Sequence, residues 1–182
     1  MKNTSTMSDI DLVEVIRSGN SELFTEIIKR YQNKLLRYAT YILGDEDAGA
    51  DIVQESFIKT FVNLNGFDKN KKFSSWIYRI VHNEAINYLN KNKRQRPMNP
   101  EVEYDSGVNL EETYVKNEII SHAHNCLGEM SLLYKVPLSL FYLGEKSYEE
   151  ISDILRIPVA TVGTRISRAK IIMKKICQKN AK

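Results

Sequence analysis

Residues 147–170 read SYEEISDILRIPVATVGTRISRAK, and the reading of the whole chain turns on them. Ser147 followed three residues later by Glu150 predicts a capping box, in which hydroxyl and carboxylate each accept from the other's backbone N–H and so open a helix. Ile151, Ile154 and Leu155 keep one face apolar until Arg156, Ile157 and Pro158, where proline removes a donor and biases Ile157 away from helix. A second helical run opens at Val159, with apolar residues at Val162, Ile166, Ala169 and Met173. Thr161, Thr164, Arg165 and Arg168 fall on its other side and form one polar stripe. Two helices across a turn of about three residues, the second bearing a basic hydrogen-bonding stripe, predict a helix-turn-helix.

An antiparallel helical hairpin in a bundle would carry the same cap, turn and apolar stripe. Charge separates the two readings. From Arg165 to Lys182 there are seven cations and no Asp or Glu, whereas a solvated helix ordinarily mixes signs. The segment therefore points to DNA.

The chain has 182 residues and a net charge of only +3, so the distribution of charge says more than its total. Lys69 to Arg96 holds eight cations against the single acid Glu84, while residues 45–55 hold five acids and no cation. Two basic surfaces and an acidic one predict nucleic acid plus a separate basic partner. Acids interrupt the N-terminal MKNTSTMSDIDLVEVIR, against a secretory signal, and no run is apolar enough for a membrane helix; a cytoplasmic protein is expected. Cys126 and Cys177, far apart in sequence, suggest no disulfide framework and read as small apolar fillers in a reducing compartment.

Nearly every strong signal is helical, so an all-α fold is expected. A short helix over about 9–17 ends at Ser18-Gly19-Asn20. Ser21 caps a longer one that buries Phe24, Ile27, Ile28, Tyr31, Leu35, Tyr38 and Ile42 and ends at Gly44. Asp45 and Asp47 start the next, which buries Val53, Phe57, Phe61 and Leu64 and stops at Gly66. Ser75 caps a fourth, from Trp76 to about Asn90. After Asn92 two prolines, a glycine and polar residues without periodicity read as a linker. Helices over about 111–129 and 132–143 then lead into the helix-turn-helix. The expected organisation is an N-terminal helical domain over 1–92, a flexible linker over 93–110 and a C-terminal domain over 111–182.

Three segments, DAGADIVQESFIKTF, FSSWIYRIVHNEAINYLNKNKR and the stretch from Ser147, stand in the order and spacing that resembles a bacterial extracytoplasmic-function (ECF) sigma factor of RNA polymerase. The resemblance spans nearly the whole chain apart from the linker. It implies a non-enzymatic promoter-specificity subunit whose partners are core RNA polymerase, through the clamp helices of the largest subunit and the flap, and promoter DNA. An anti-sigma protein, often membrane-anchored in the family, is a further implied partner; no cofactor and no small-molecule substrate are implied.

By the same resemblance Asp51, Gln54 and Glu55 contact the clamp helices, and a rim of such groups facing a basic helix pair gives orientation and fast encounter. The loop through Phe73 and Ser74 would hold a flipped base of the minus-ten element, with Asn83 reading a neighbour. Phe73 and Trp76 read equally as stacking surface or as core. Lys71, Lys72, Arg79 and Lys93 are expected on phosphates. The second helix of the helix-turn-helix would enter the major groove of the minus-thirty-five element with Thr161, Thr164, Arg165 and Arg168 nearest the bases.

Three positions depart from the family pattern. Gly163 stands where Lys is common, Arg156 replaces the usual turn glycine, and Pro137 falls inside an expected helix and should kink it or shift its start. His122, His124 and Cys126 form H-x-H-x-C, but His124 points away from the other two on a helix and no fourth ligand is near, so no metal is expected. No catalytic motif is found. The alternative function is a stand-alone helix-turn-helix regulator.

Overall fold

The computed structural model describes residues 6–95, 123 and 125–180, and every regular element among them is helical. Helix α1 (Asp9–Arg17) opens on a capping box between Ser8 and Asp11 and buries Leu12, Val13 and Ile16. A 3-10 turn, Ser21–Leu23, precedes α2 (Phe24–Leu43), so Ser21 starts the turn and does not cap the helix directly. Gly44 ends α2 in the left-handed conformation at φ 73°, its N–H donating to the Thr40 carbonyl.

Helix α3 (Glu46–Val62) is capped by Asp45, whose side chain accepts from Ala48 N–H at 3.0 Å. Gly49 lets α3 cross α2 closely, because a Cβ there would stand 2.7 Å from Thr40 Oγ1 and about as near its backbone. Phe61, expected inside, is 44% exposed and meets Phe24 edge-on at 5.1 Å; the helix turns it toward the rim as it ends. A 3-10 turn, Leu64–Gly66, follows, and the Arg17 guanidinium donates to the Leu64 and Phe67 carbonyls, tying α1 to it.

Helix α4 (Phe73–Gln95) begins three residues earlier than the sequence suggests, because the Phe73 ring reaches the core between Tyr31, Phe67 and Trp76 and pulls the first turn in. It also runs to Gln95, beyond the expected start of the linker. The remainder of that linker, 96–110, and most of the helix expected over 111–129 lie outside the described residues; residues 125–128 are helical.

In the C-terminal half, α5 (Leu132–Tyr142) is followed by α6 (Tyr148–Leu155) and α7 (Val159–Asn180). Pro137 lies inside α5 without shifting its start; it is buried, and it lacks the N–H that an ordinary residue there would donate to the Leu133 carbonyl. The two cysteines correct the expectation of separate apolar fillers: Cys126 is wholly buried and disulfide-bonded to Cys177 near the end of α7, closing a separation of 51 residues. Cysteine spacing alone does not report that the helices bring them together. Asn180 Nδ2 donates to Glu129 at 2.6 Å beside the same junction. The two halves also touch, α5 lying against α2 and α6 against α4.

Candidate nucleic-acid interface

The helix-turn-helix is α6, the turn 156–158 and α7. Ser147 and Glu150 form the predicted capping box, Glu150 N–H donating to Ser147 Oγ at 3.2 Å and Ser147 N–H to Glu150 Oε2 at 3.0 Å. Arg156 closes the turn by itself adopting the left-handed conformation, φ 55° and ψ 42°, that glycine takes more cheaply. Ser152 Oγ donates to the Ile157 carbonyl at 2.6 Å and holds the turn shut. The turn therefore forms without its usual glycine.

Val162, Ile166 and Ala169 seat α7 in the core, which leaves Thr164 and Arg168 exposed and Thr161 and Arg165 half-buried on the outer side. The four predicted residues thus share one face. Ser167, also exposed on this helix, was missed, although it lies between two of them. Thr164 Oγ1 donates to the Ala160 carbonyl at 2.9 Å, so it faces outward with its proton already used. Gly163 faces the Tyr148 ring, which a Cβ would just touch at 3.4 Å; the small residue admits the aromatic side chain from α6.

At the start of α4 the predicted set divides. Phe73 is only 2% exposed and packs on Phe67 at 5.4 Å and Trp76 at 5.7 Å, so its ring is core and cannot stack on a base. Trp76 is half-buried, Asn83 is exposed, and Lys71 and Lys72 are exposed beside Ser74. Lys93 side-chain placement lies outside the description. The structure brings Lys71, Lys72, Ser74 and Arg79 to one surface, but the groups facing them come from α6. Asp153 lies 3.2 Å from Arg79 Nη2 and 3.9 Å from Lys71 Nζ; Glu150 lies 3.5 Å from Lys72 Nζ and 3.4 Å from Ser74 Oγ. Burial opposes ionisation of Glu150, yet the Ser147 backbone N–H and the Lys146 and Lys72 ammoniums hold its carboxyl below the usual range.

On α3, Asp51, Gln54 and Glu55 are exposed together, as expected. Glu55 is shared with Lys59 Nζ at 3.4 Å, which in turn is held by Glu84 at 2.6 Å. The hydrogen bond that Lys59 Nζ donates to the Glu84 carboxylate raises the Lys59 pKa. Exposed Ile58 and Val62 continue this stripe and were missed; following the same helical spacing beyond Glu55 would have found them.

Of the H-x-H-x-C motif, His122 and His124 lie outside the described residues and Cys126 is in a disulfide. No metal-ligating cluster occurs among the described residues, and none of their helices is long and apolar enough to cross a membrane.

Residues 27–95 match the Sigma-70 region 2 family model, and residues 123–173 match Sigma-70, region 4. The chain is 31% identical over 174 residues to the ECF RNA polymerase sigma factor SigW of Bacillus subtilis, covering 90% of this chain and 93% of the relative. It is 34% identical to the ECF RNA polymerase sigma-E factor of Haemophilus influenzae, at 90% and 92% coverage. Among solved structures, CnrH in complex with the cytosolic domain of CnrY superposes with a TM-score of 0.70 at 21% identity, over 94% of this chain and 97% of that one. The sigma factor RpoE of Bartonella quintana, in complex with the anti-sigma factor NepR, gives 0.68 at 17% identity, over 85% and 96%. At these identities the structural likeness speaks for the fold.

Proposed function

The chain belongs to the ECF sigma factors of RNA polymerase, and we propose that it divides promoter recognition between its two halves without performing catalysis itself. The outer side of α7 reads the minus-thirty-five element. Arg165 and Arg168 suit guanine edges or phosphates there, Thr161 suits a thymine methyl or a phosphate, and Thr164, its hydroxyl proton held by the Ala160 carbonyl, suits a thymine methyl. The surface around Lys71, Lys72, Ser74, Trp76, Arg79 and Asn83 takes the upstream melted strand, with Phe73 as internal support and not as a stacking platform. Asp51, Gln54 and Glu55, extended by Ile58 and Val62, dock on the clamp helices of core polymerase; the cytoplasm is where that partner would be met. An anti-sigma protein is the further partner this reading carries.

The observation that carries the proposal is the presence, on one chain, of a solvent-facing basic recognition helix and a separate exposed acidic stripe on α3. A stand-alone regulator needs the first and has no use for the second, and family membership disfavours it. Runoff transcription with core enzyme, followed by sequencing of the start sites, tests the proposal. Defined starts that depend on this chain are expected; their absence would overturn it.

A further inference from the structure

Cys126 lies just ahead of α5 and Cys177 in the last turns of α7, and folding brings their Cα atoms to 5.4 Å, a separation that a disulfide spans. Between them the chain holds α5, α6 and the whole reading stripe of α7, so the bridge closes the DNA-reading unit into one covalent loop. The two sulfurs differ in access. Cys126 is wholly buried, with Leu127 and Met130 buried next to it in sequence, whereas Cys177 is half-buried among exposed Lys174, Lys175 and Lys179. Nearby cations favour the thiolate, the form that exchanges, and the negative end of α7 at Asn180 opposes them in part. The buried residues of α7 are Val162, Ile166 and Ala169; beyond them its inner side offers the half-buried Ile172, Met173 and Ile176 and then the bridge. Cys177 continues the inward spacing of Met173 and Ala169, so the bond sits on the core side and leaves Thr164, Ser167 and Arg168 open.

We infer that Cys177 is a redox modification site that takes up a low-molecular-weight disulfide and passes the oxidation to Cys126, and that the bridge so formed holds α7 in its reading position. The functional part of the inference rests on the sigma-factor reading: a protein that works on RNA polymerase meets a reducing compartment, where a disulfide between well-placed thiols is ordinarily transient and redox-sensing. The exchange runs in two steps. The Cys177 thiolate attacks one sulfur of the small disulfide RSSR, forms the mixed disulfide and expels RS⁻. The Cys126 thiol then gives up its proton, and its thiolate attacks the Cys177 sulfur and expels the second RS⁻. Two protein thiols are oxidised to one disulfide, RSSR is reduced to two RSH by the same two electrons, and the two thiol protons end on the expelled thiolates. Reduction retraces the path, an incoming thiolate attacking the accessible Cys177 sulfur with Cys126 as the leaving group. If the reduced unit holds α7 in place about one time in five, oxidation raises DNA reading by about fivefold, because only the competent fraction binds.

The full-length protein and its C126A and C177A variants, reduced and freed of reductant, are exposed to glutathione disulfide and followed by intact-protein mass spectrometry. C126A, unable to complete the second step, should keep one glutathione on Cys177; C177A should take up little; the parent should reach the internal disulfide and return from it in dithiothreitol. Faster glutathione uptake by C177A than by C126A overturns the inference, as does a parent protein that stays reduced. Should C126A prove unfolded by far-UV circular dichroism, brief alkylation of the reduced parent with iodoacetamide replaces it: Cys177 modified first is expected, and Cys126 modified first overturns the inference. Zinc is the rival occupant of a thiol pair, and stoichiometric zinc uptake by the reduced parent that blocks its oxidation also overturns it. Runoff transcription with core polymerase then compares the parent and C126A in glutathione disulfide and in dithiothreitol, C126A correcting for any effect of the reagents on the polymerase. About fivefold more product from the oxidised parent, with C126A level, is expected. Equal output from both states of the parent removes the switch and leaves the sigma-factor reading standing. If the parent directs no defined starts in either state, the sigma-factor reading falls instead, and the mass spectra still decide whether Cys177 is the exchange site.

Discussion

His82 gives the sharpest link between this fold and a measurable property. It lies midway along α4 with its Nδ1 3.1 Å from the Tyr38 hydroxyl, and burial pushes its pKa from 6.5 down to about 4. In the unfolded chain the imidazole takes up a proton near its ordinary value; in the folded chain it resists until far lower pH. Between those values the unfolded state binds more protons, so stability falls as pH falls through the window and is unaffected well above it. From about pH 7.5 to about pH 5 the loss comes to about 2 kcal/mol, a large share of the stability of a domain this size. Urea denaturation followed by circular dichroism, at several pH values, measures it. H82N is the comparison, since the amide oxygen can still accept from Tyr38 but nothing there titrates. Carboxylates and the other two histidines contribute alike to both proteins and cancel in the difference. An H82N protein that loses stability over this range as steeply as the parent would refute the half-buried, neutral imidazole.

Three further outcomes are expected. Reducing Cys126–Cys177 should destabilise the C-terminal half by up to about 4 kcal/mol from the loop it closes, seen as a lower thermal midpoint with dithiothreitol; C126S should start at the lower value and ignore the reductant, and a parent midpoint unmoved by reduction would count against the bridge. Arg165→Ala should weaken promoter use by about 1–3 kcal/mol at one base position, whereas a uniform loss over all sequences would make Arg165 a phosphate contact. Replacing Asp51 and Gln54 together should lower affinity for core polymerase with DNA binding unchanged, and normal co-elution of that variant on gel filtration would remove these residues from the docking surface.

What the sequence made legible follows a physical rule: most signals that act within about one helical turn came through, although Ser21 opens a 3-10 turn and Ser75, read as a cap, lies inside α4 because the Phe73 ring draws the first turn into the core. The Ser147–Glu150 box, the Gly44 terminus and the Asp45 cap each depend on neighbours a few residues away, and each appears where it was read. The polar stripe of α7 came through for the same reason. Helical period tells which face is apolar but not what covers it, nor where the cover stops. Phe61 continues the inward spacing of Val53 and Phe57, yet α3 ends one residue later and its ring comes to the rim. Phe73 sits among lysines in sequence and looks available, while Tyr31, from another helix, completes its burial. Cys126 with Cys177, and Glu150 and Asp153 with the α4 cations, are long-range encounters that no local spacing announces.

A bridge on the core side of a recognition helix touches no base, so it can change DNA reading only through the fraction of molecules whose α7 is in place. That fixes both its sign and its ceiling. Closing the loop removes conformations from the unfolded unit and none from the folded one, so oxidation favours reading; a bridge across Thr164 and Arg168 would do the opposite by covering them. The ceiling is the reciprocal of the competent fraction in the reduced protein. A unit in place about one time in five can gain no more than about fivefold, equivalent to about 1 kcal/mol. The chain-entropy model allows about 4 kcal/mol for a loop of this length, so most of the constraint goes unseen in transcription and shows only in the thermal midpoint. The two measurements therefore separate a switch from a staple. A midpoint that rises on oxidation while runoff stays level describes a unit already in place when reduced. A rise in both puts the reduced unit near its own midpoint at working temperature, where a bond that forms and breaks with the redox poise controls how much of the protein can read DNA.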